Sequence, residues 1–295
     1  MRNTLFIAAF ALSLTALPGL AAAQPLAPQV QQLRDQFRHQ SLDDALEAAE
    51  ETTEALPDDA MAWLWAGRVY GRQAQEANIL TKAKWAGRCR DAFEKAVELQ
   101  PGLVEARFDL MQYYLLAPGI MGGGRDKAEA QAKAIAELDA AEGKVAAANL
   151  ALQDDSDSTA ESLYREALRA NPASIRALFG FNAFLQNRKR FDDVRTLWVD
   201  ALDHEKTLAL GRYQLGRLAA ITGDHIEQGL AYLDAFIAAG EEPEQLSLAA
   251  AQWRRGQLLD KLGRRDEAIA AFELAMNDRD VGEMAKADLK RVKQG

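Results

Sequence analysis

One spacing constrains this chain more than any other feature. Small side chains stand at Ala45, Cys89, Ala128, Ala160, Val194, Gly229 and Ala268. Four residues after each come Ala49, Phe93, Ala132, Tyr164, Trp198, Leu233 and Phe272; three further on lie Thr52, Ala96, Ile135, Ala167, Ala201, Phe236 and Ala275. Offsets of four and three return to one face of an α-helix. The small residue lets a second helix approach closely, and the larger one a turn later fills the gap beside it. Five residues beyond, Pro57, Pro101 and Pro172 end three of these helices, while Ala140, Lys206, Glu241 and Asp280 occupy the same place in the others. No run alternates with the period of a strand, so the chain reads as all-α. Ser158 to Glu161 has the form of a capping box, and Gly223 and Gly263 mark turns after a first helix.

The first helices carry their own marks in "WLWAGRVY" (63–70), "LGRLA" (215–219) and "RGQLL" (255–259). With these, the pattern resembles the tetratricopeptide repeat: Trp, Leu-Gly and Tyr in a first helix, then Ala, Phe, Ala and Pro in a second. Segments 249–280 and 175–206 follow it without gaps. The pair opened by Trp63 keeps Gly67, Tyr70, Phe93, Ala96 and Pro101 but holds extra residues between its helices. Residues 141–172 keep Ala160, Tyr164, Ala167 and Pro172. The resemblance implies a right-handed superhelical solenoid of six to seven helix pairs, stacked side by side along a spiral. The N-terminal repeats would cover 24–140, with enlarged turns at 71–88 and 116–127. The C-terminal repeats would cover 141–280, and 281–295 would form the polar cap that a solenoid needs.

A solenoid of this family implies a binding surface on its concave face, lined by first helices. Carried over by position, the lining is Leu64, Arg68, Arg72, Phe108, Gln112, Phe179, Asn187, Tyr213, Arg217, Trp253, Gln257 and Lys261. Aromatics mixed with arginines suit a protein or extended peptide, although the same rings can pack against adjacent helices. The family's lysine and asparagine clamp for a chaperone C-terminus is mostly missing.

The stretch "LLAPGIMGGGRDKAEAQAKAI" (115–135) raises a different possibility, because Gly119 and Gly124 have phosphate-loop spacing. The chemistry of that loop is missing: Arg125 stands where its lysine would be, Asp126 replaces the magnesium-binding hydroxyl, and a helix rather than a strand precedes. Two readings remain. One is a shaped turn in which Pro118 ends a helix, Ile120 and Met121 tuck into the next repeat, and Asp126 caps the second helix of the pair. The other is an anion site for a glycan, peptidoglycan fragment or phosphate-bearing molecule. It would use Gly122, Gly123, Gly124, Arg125 and Lys127, with Lys82, Lys84 and Trp85 brought beside them from the enlarged turn before. A helix terminus supplies at most about 2 kcal/mol to a bound charge, against roughly 8 for micromolar affinity. Such a site would orient a ligand rather than capture it.

Composition and the remaining motifs limit the function classes. The chain opens with Arg2, an apolar run from Leu5 to Leu17, Pro18 and Gly19, then Ala21 to Ala23. This has the layout of an export signal at 1–23, too short for a membrane span, and points to the periplasm or, alternatively, to secretion. A net charge of −9 argues against nucleic acid as the partner. Cys89 is the single cysteine and fits the small position at a helix crossing, although Lys84, Arg88 and Arg90 flank it. His39, His204 and His225 share no metal spacing, "QDDSDS" (153–158) lacks the rest of a calcium loop, and no nucleophile elbow is present. No catalytic group and no cofactor is expected.

Overall fold

A computed structural model describes residues 25–240, 243 and 246–294. The export signal expected at 1–23 lies outside the described residues. Fifteen α-helices follow one another: α1 (Pro28–His39), α2 (Leu42–Ala55), α3 (Ala60–Glu76), α4 (Ile79–Leu99), α5 (Val104–Leu116), α6 (Arg125–Leu138), α7 (Ala140–Gln153) and α8 (Asp157–Ala170), then α9 (Ile175–Asn187), α10 (Phe191–Asp200), α11 (Glu205–Thr222), α12 (Ile226–Ala239), α13 (Leu248–Lys261), α14 (Arg265–Ala275) and α15 (Gly282–Gln294). Two short 3-10 turns, Gly119–Met121 and Ala201–Asp203, complete them. No strand occurs among the described residues. Odd-numbered helices are the first of each pair and even-numbered the second, so seven pairs stack in order and α15 packs on the last.

Every residue of the small–large–small spacing is buried. The crossings are close. A Cβ placed on Gly67 would meet the Phe93 ring at 2.5 Å, and one on Gly256 the Phe272 ring at 2.6 Å. Glycine in α3 and α13 therefore provides the room in which the aromatic ring of the paired helix sits. Side-chain caps start many of the helices: Ser41, Asp59, Asn78, Asp139, Ser174 and Ser247 each accept a hydrogen bond from a first-turn amide. Gly223 and Gly263 adopt the left-handed conformation expected of them, and Asp155 and Lys189 take it in two other turns without being glycine.

Three local expectations are corrected. Residues 71–88 are not an enlarged turn. Only Ala77 and Asn78 separate α3 from α4, and the extra residues lengthen both helices. Nothing between Arg72 and Ala86 breaks a helix, and Asn78 caps α4 by accepting from the amides of Leu80 and Thr81. Residues 158–161 are not a capping box. Helix α8 begins earlier, at Asp157, without a side-chain cap, and Glu161 turns instead to Arg165 and Arg190. Asp126 is not a cap either, because α6 starts at Arg125 behind Gly124.

The stack curves until its ends touch. Arg279, between α14 and α15, donates to the carbonyls of Phe37 (2.7 Å) and Gln40 (2.9 Å) at the end of α1. Arg38 of α1 donates to the carbonyls of Pro243 (3.1 Å) and Leu246 (3.5 Å), between α12 and α13. Arg72 of α3 reaches Asp280 at 3.5 Å. A cavity of about 340 Å³ lies at this junction, walled by Phe37, Arg72, Tyr213 and Arg279 among others.

Candidate functional site: the inner face

The first helices are joined across their inner side by polar bridges. Arg68 Nε of α3 meets Asp109 Oδ2 of α5 at 2.8 Å. Arg176 of α9 pairs with Glu142 of α7 at 2.9 Å and lies 4.0 Å over the Phe108 ring. Arg217 Nη1 of α11 donates to Gln186 Oε1 of α9 at 3.3 Å. At the end of the stack, the Trp253 indole and the Gln257 amide of α13 both donate to Asp288 Oδ2 of α15, at 2.9 and 3.0 Å.

The residues carried over for the groove divide into two kinds. Leu64, Phe108, Tyr213 and Trp253 are buried, and their surfaces face neighbouring helices. Tyr213 packs on Phe236 with ring centroids 5.7 Å apart, and the half-buried Phe179 meets Trp198 edge to face at 5.5 Å. Arg68, Gln112 and Arg217 are partly open to solvent. Sequence reasoning missed Arg254, the position after Trp253. Its guanidinium lies 3.9 Å over the Trp253 ring and donates to Gln257 Oε1 at 2.9 Å, while its Nε is enclosed without an acceptor. Burial pushes its pKa down, and the charge of Arg217 pushes the same way against the pull of Tyr213 and Asp288. Neither Arg217 nor Arg254 forms an ion pair among the described residues. An arginine immediately after a groove aromatic was the available signal.

The glycine-rich edge is a different kind of place. Gly122 has φ +88°, and a Cβ on Gly123 would stand 1.8 Å from the Ala117 carbonyl oxygen, so only glycine fits both. The amides of Gly122, Gly123 and Gly124 donate to the carbonyls of Gly119, Pro118 and Tyr114. Arg125 is engaged by Glu129 and by both oxygens of Asp154, and the Lys127 ammonium donates to the Gly122 carbonyl at 3.0 Å. The structure does not bring Trp85 to these cations. Its ring lies 6.0 Å from Tyr70 and under Arg88, which pairs with Glu50 of α2 in the preceding repeat, whereas Arg125 reaches the repeat on the other side. Nor does Ile120 tuck in; it is 97% exposed.

Cys89 is buried, and burial together with the Asp109 charge pushes its thiol up to about 12. It remains a thiol at neutral pH, with none of the thiolate character of a nucleophile. Among the described residues no group of three His, Cys, Asp or Glu side chains is placed to hold a metal. No described helix is long and apolar enough to cross a membrane.

Comparison with known proteins agrees with this architecture. Residues 249–277 match the tetratricopeptide repeat family model. No curated protein matches the sequence. Among solved structures, yeast Tom70 superimposes with a TM-score of 0.56 at 14% identity, over 95% of this chain and 67% of that one. A tetratricopeptide repeat protein from Parabacteroides merdae gives 0.47 at 15% identity over 90% and 100%. The APC/C hetero-tetramer Cut9–Hcn1 gives 0.48 at 14% identity over 89% of this chain, which spans only 48% of that one. Identities this low speak for fold alone, and the fold argument rests on Tom70. Residues 249–277 form a tetratricopeptide repeat by sequence, and the described chain as a whole is an all-α solenoid of stacked helix pairs with the fold of Tom70.

Proposed function

We propose that this protein is a non-enzymatic adaptor of the bacterial cell envelope, delivered to the periplasm by residues 1–23, that holds an extended segment of another protein against its inner face. The observation that supports this reading is the pair Arg217 and Arg254. The two guanidiniums stand beside the Tyr213 hydroxyl on adjacent first helices, and neither forms an ion pair with a carboxylate among the described residues. Arginines held by packing and stacking suit a polar or acidic partner segment, because a planar guanidinium pairs with carboxylates in two-point geometry. The contact between the ends of the stack bounds the inner face and favours a segment laid along the first helices over a folded domain.

The test is photo-crosslinking in the native compartment from Gln186 and Gln257, with identification of the captured proteins. Arg217→Glu combined with Arg254→Glu should abolish capture while the helical circular dichroism persists. An unchanged set of captured proteins in that variant would remove the inner face from the function.

A further inference from the structure

We propose that the edge formed by the tip between α3 and α4 and the turn after α5 is a docking surface for an anionic lipid bilayer. Among the described residues, large apolar side chains with the greatest exposure gather here: Ile79 at 84%, Leu80 at 88%, Leu116 at 72% and Ile120 at 97%. The other exposed large apolar residues are less open, at 42–68%. From the adjacent repeat Leu116 lies beside Lys82, while Ile120 stands farther along the same edge, on a turn that meets α4 at Arg90. Turns between first and second helices fall on one edge of a solenoid, the 3-10 turn containing Ile120 packs on α4, and Lys82 and Leu116 line one cleft of about 490 Å³ with Ala86, Phe93 and Tyr113.

The order of side chains along α4 identifies the occupant. Ile79 and Leu80 form the extreme tip. At about 1.5 Å per helical residue, Lys82 lies about 4.5 Å deeper, Lys84 about 7.5 Å and Trp85 about 9 Å. Apolar tips with lysines one layer behind match the sequence of environments from acyl chains to headgroups, where interfacial proteins bury their apolar face about 5–10 Å. The Trp85 ring is taken up by Tyr70 and Arg88 and lies behind that layer. Residues 77–88 and 113–124 contain no acidic side chain, and their only charges are Lys82, Lys84 and Arg88. Lys82 and Lys84 form no ion pair among the described residues; Lys84 only leans over the Trp85 ring at 5.4 Å. A chain of net charge −9 thus presents, at its most apolar edge, a patch of positive charge. Anionic headgroups answer both features. A protein partner would be expected to meet a flatter face with buried aromatic anchors, and here the protruding residues are aliphatic. The surface is separate from Arg217 and Arg254, and the inference does not depend on the inner-face reading.

Co-sedimentation with vesicles tests it. The chain from Gln24 onward is used, so that the apolar run 5–17 contributes nothing, with the full chain alongside. Vesicles of phosphatidylcholine with about one third phosphatidylglycerol are compared with pure phosphatidylcholine at two salt concentrations. Binding is expected to the anionic vesicles only, weakened by salt. Ile79→Ser with Leu80→Ser, and separately Lys82→Glu with Lys84→Glu, should each lower the partition coefficient by about tenfold or more. These side chains are exposed, so the melting temperature should not move. Failure of wild type to bind anionic vesicles, or equal binding by the Ile79→Ser, Leu80→Ser variant, would overturn the proposal. So would a concentration-dependent dimer, or a co-purifying protein, that the variant loses without any lipid binding. Those results would assign the edge to a second copy or to a protein partner.

Discussion

Arg279 donates to the carbonyl of Gln40 at 2.9 Å, across a sequence separation of 239 residues. The same Nη1 also reaches the Phe37 carbonyl, so one side chain closes the last turn of α1 from the far end of the stack. Helix C-termini leave carbonyls without partners, and a cation there is favourable. The junction makes the curvature of the solenoid a property of specific contacts as well as of repeat geometry.

Arg279→Ala combined with Arg38→Ala is accordingly expected to release the ends. Each hydrogen bond lost is worth only about 1 kcal/mol net, and water can reach these partly exposed carbonyls, so the repeats should stay folded. The expected result is a larger radius of gyration in small-angle scattering with unchanged circular dichroism. An unaltered scattering curve would show that packing alone sets the curvature.

The glycine-to-ring contacts give a prediction whose sign is decided by magnitudes. In a helix, alanine is favoured over glycine by about 1 kcal/mol. At Gly256 the added Cβ would lie 2.6 Å from the Phe272 ring, and overpacking a core costs about 1–3 kcal/mol. Gly256→Ala should therefore destabilise the protein in urea unfolding, with Phe272→Leu restoring part of the loss. Gly87 is the control, because a Cβ added there would have nothing within 4 Å. Gly87→Ala should gain up to about 1 kcal/mol.

These contacts also explain how much the sequence could say. The helix pairs were legible because small, large and small residues at a crossing directly record how near two helices come. The turn at 77–78 was not, since an insertion without glycine or proline lengthens helices as readily as it builds a loop. The groove residues were ambiguous for a related reason: the positions that face inward also face the next first helix, so Phe108 and Trp253 are absorbed by packing while Arg217 stays accessible. The junction of the ends left no trace, because Arg38 and Arg279 bind backbone carbonyls, which any residue presents.

Glu161 gives a pH prediction. Hydrogen bonds from Arg190, opposed by partial burial and reinforced by Arg165, hold its carboxyl down at about 2 from an ordinary value of 4.5. A depressed folded-state pKa contributes stability that is complete above the unfolded value and is lost as pH falls through the folded one. The contribution should therefore be present at pH 6 and fade between about 4.5 and 2. Its size is modest, since the carboxylate is 24% exposed and solvent screens it. Glu161→Gln should lower the urea midpoint at pH 6, and the gap to wild type should narrow as the pH approaches 2. A gap that is constant with pH would mean that packing, not charge, accounts for the loss.

The C-terminal helix is held by the buried Ala285 and Val292, by the ion pairs Arg291–Asp260 and Lys293–Glu273, and by the carboxylate of Asp288, whose removal tests a capping role. Asp288 on α15 accepts from the Trp253 indole and the Gln257 amide and pairs with Arg291 at 3.2 Å. Burial alone would raise its pKa, yet these donors outweigh it and the value is lowered. Asp288→Ala leaves the indole N–H of the buried Trp253 without an acceptor, a cost of about 1–3 kcal/mol. Asp288→Asn keeps one acceptor oxygen and should fall between that variant and wild type. Because repeats are stabilised through their neighbours, loosening α15 should act first on α13 and α14. Hydrogen exchange is the discriminating measurement: faster exchange confined to α13, α14 and α15 is expected, with α1 to α8 unaffected. Uniform acceleration along the chain would show that the repeats unfold as one unit and that α15 has no local capping role.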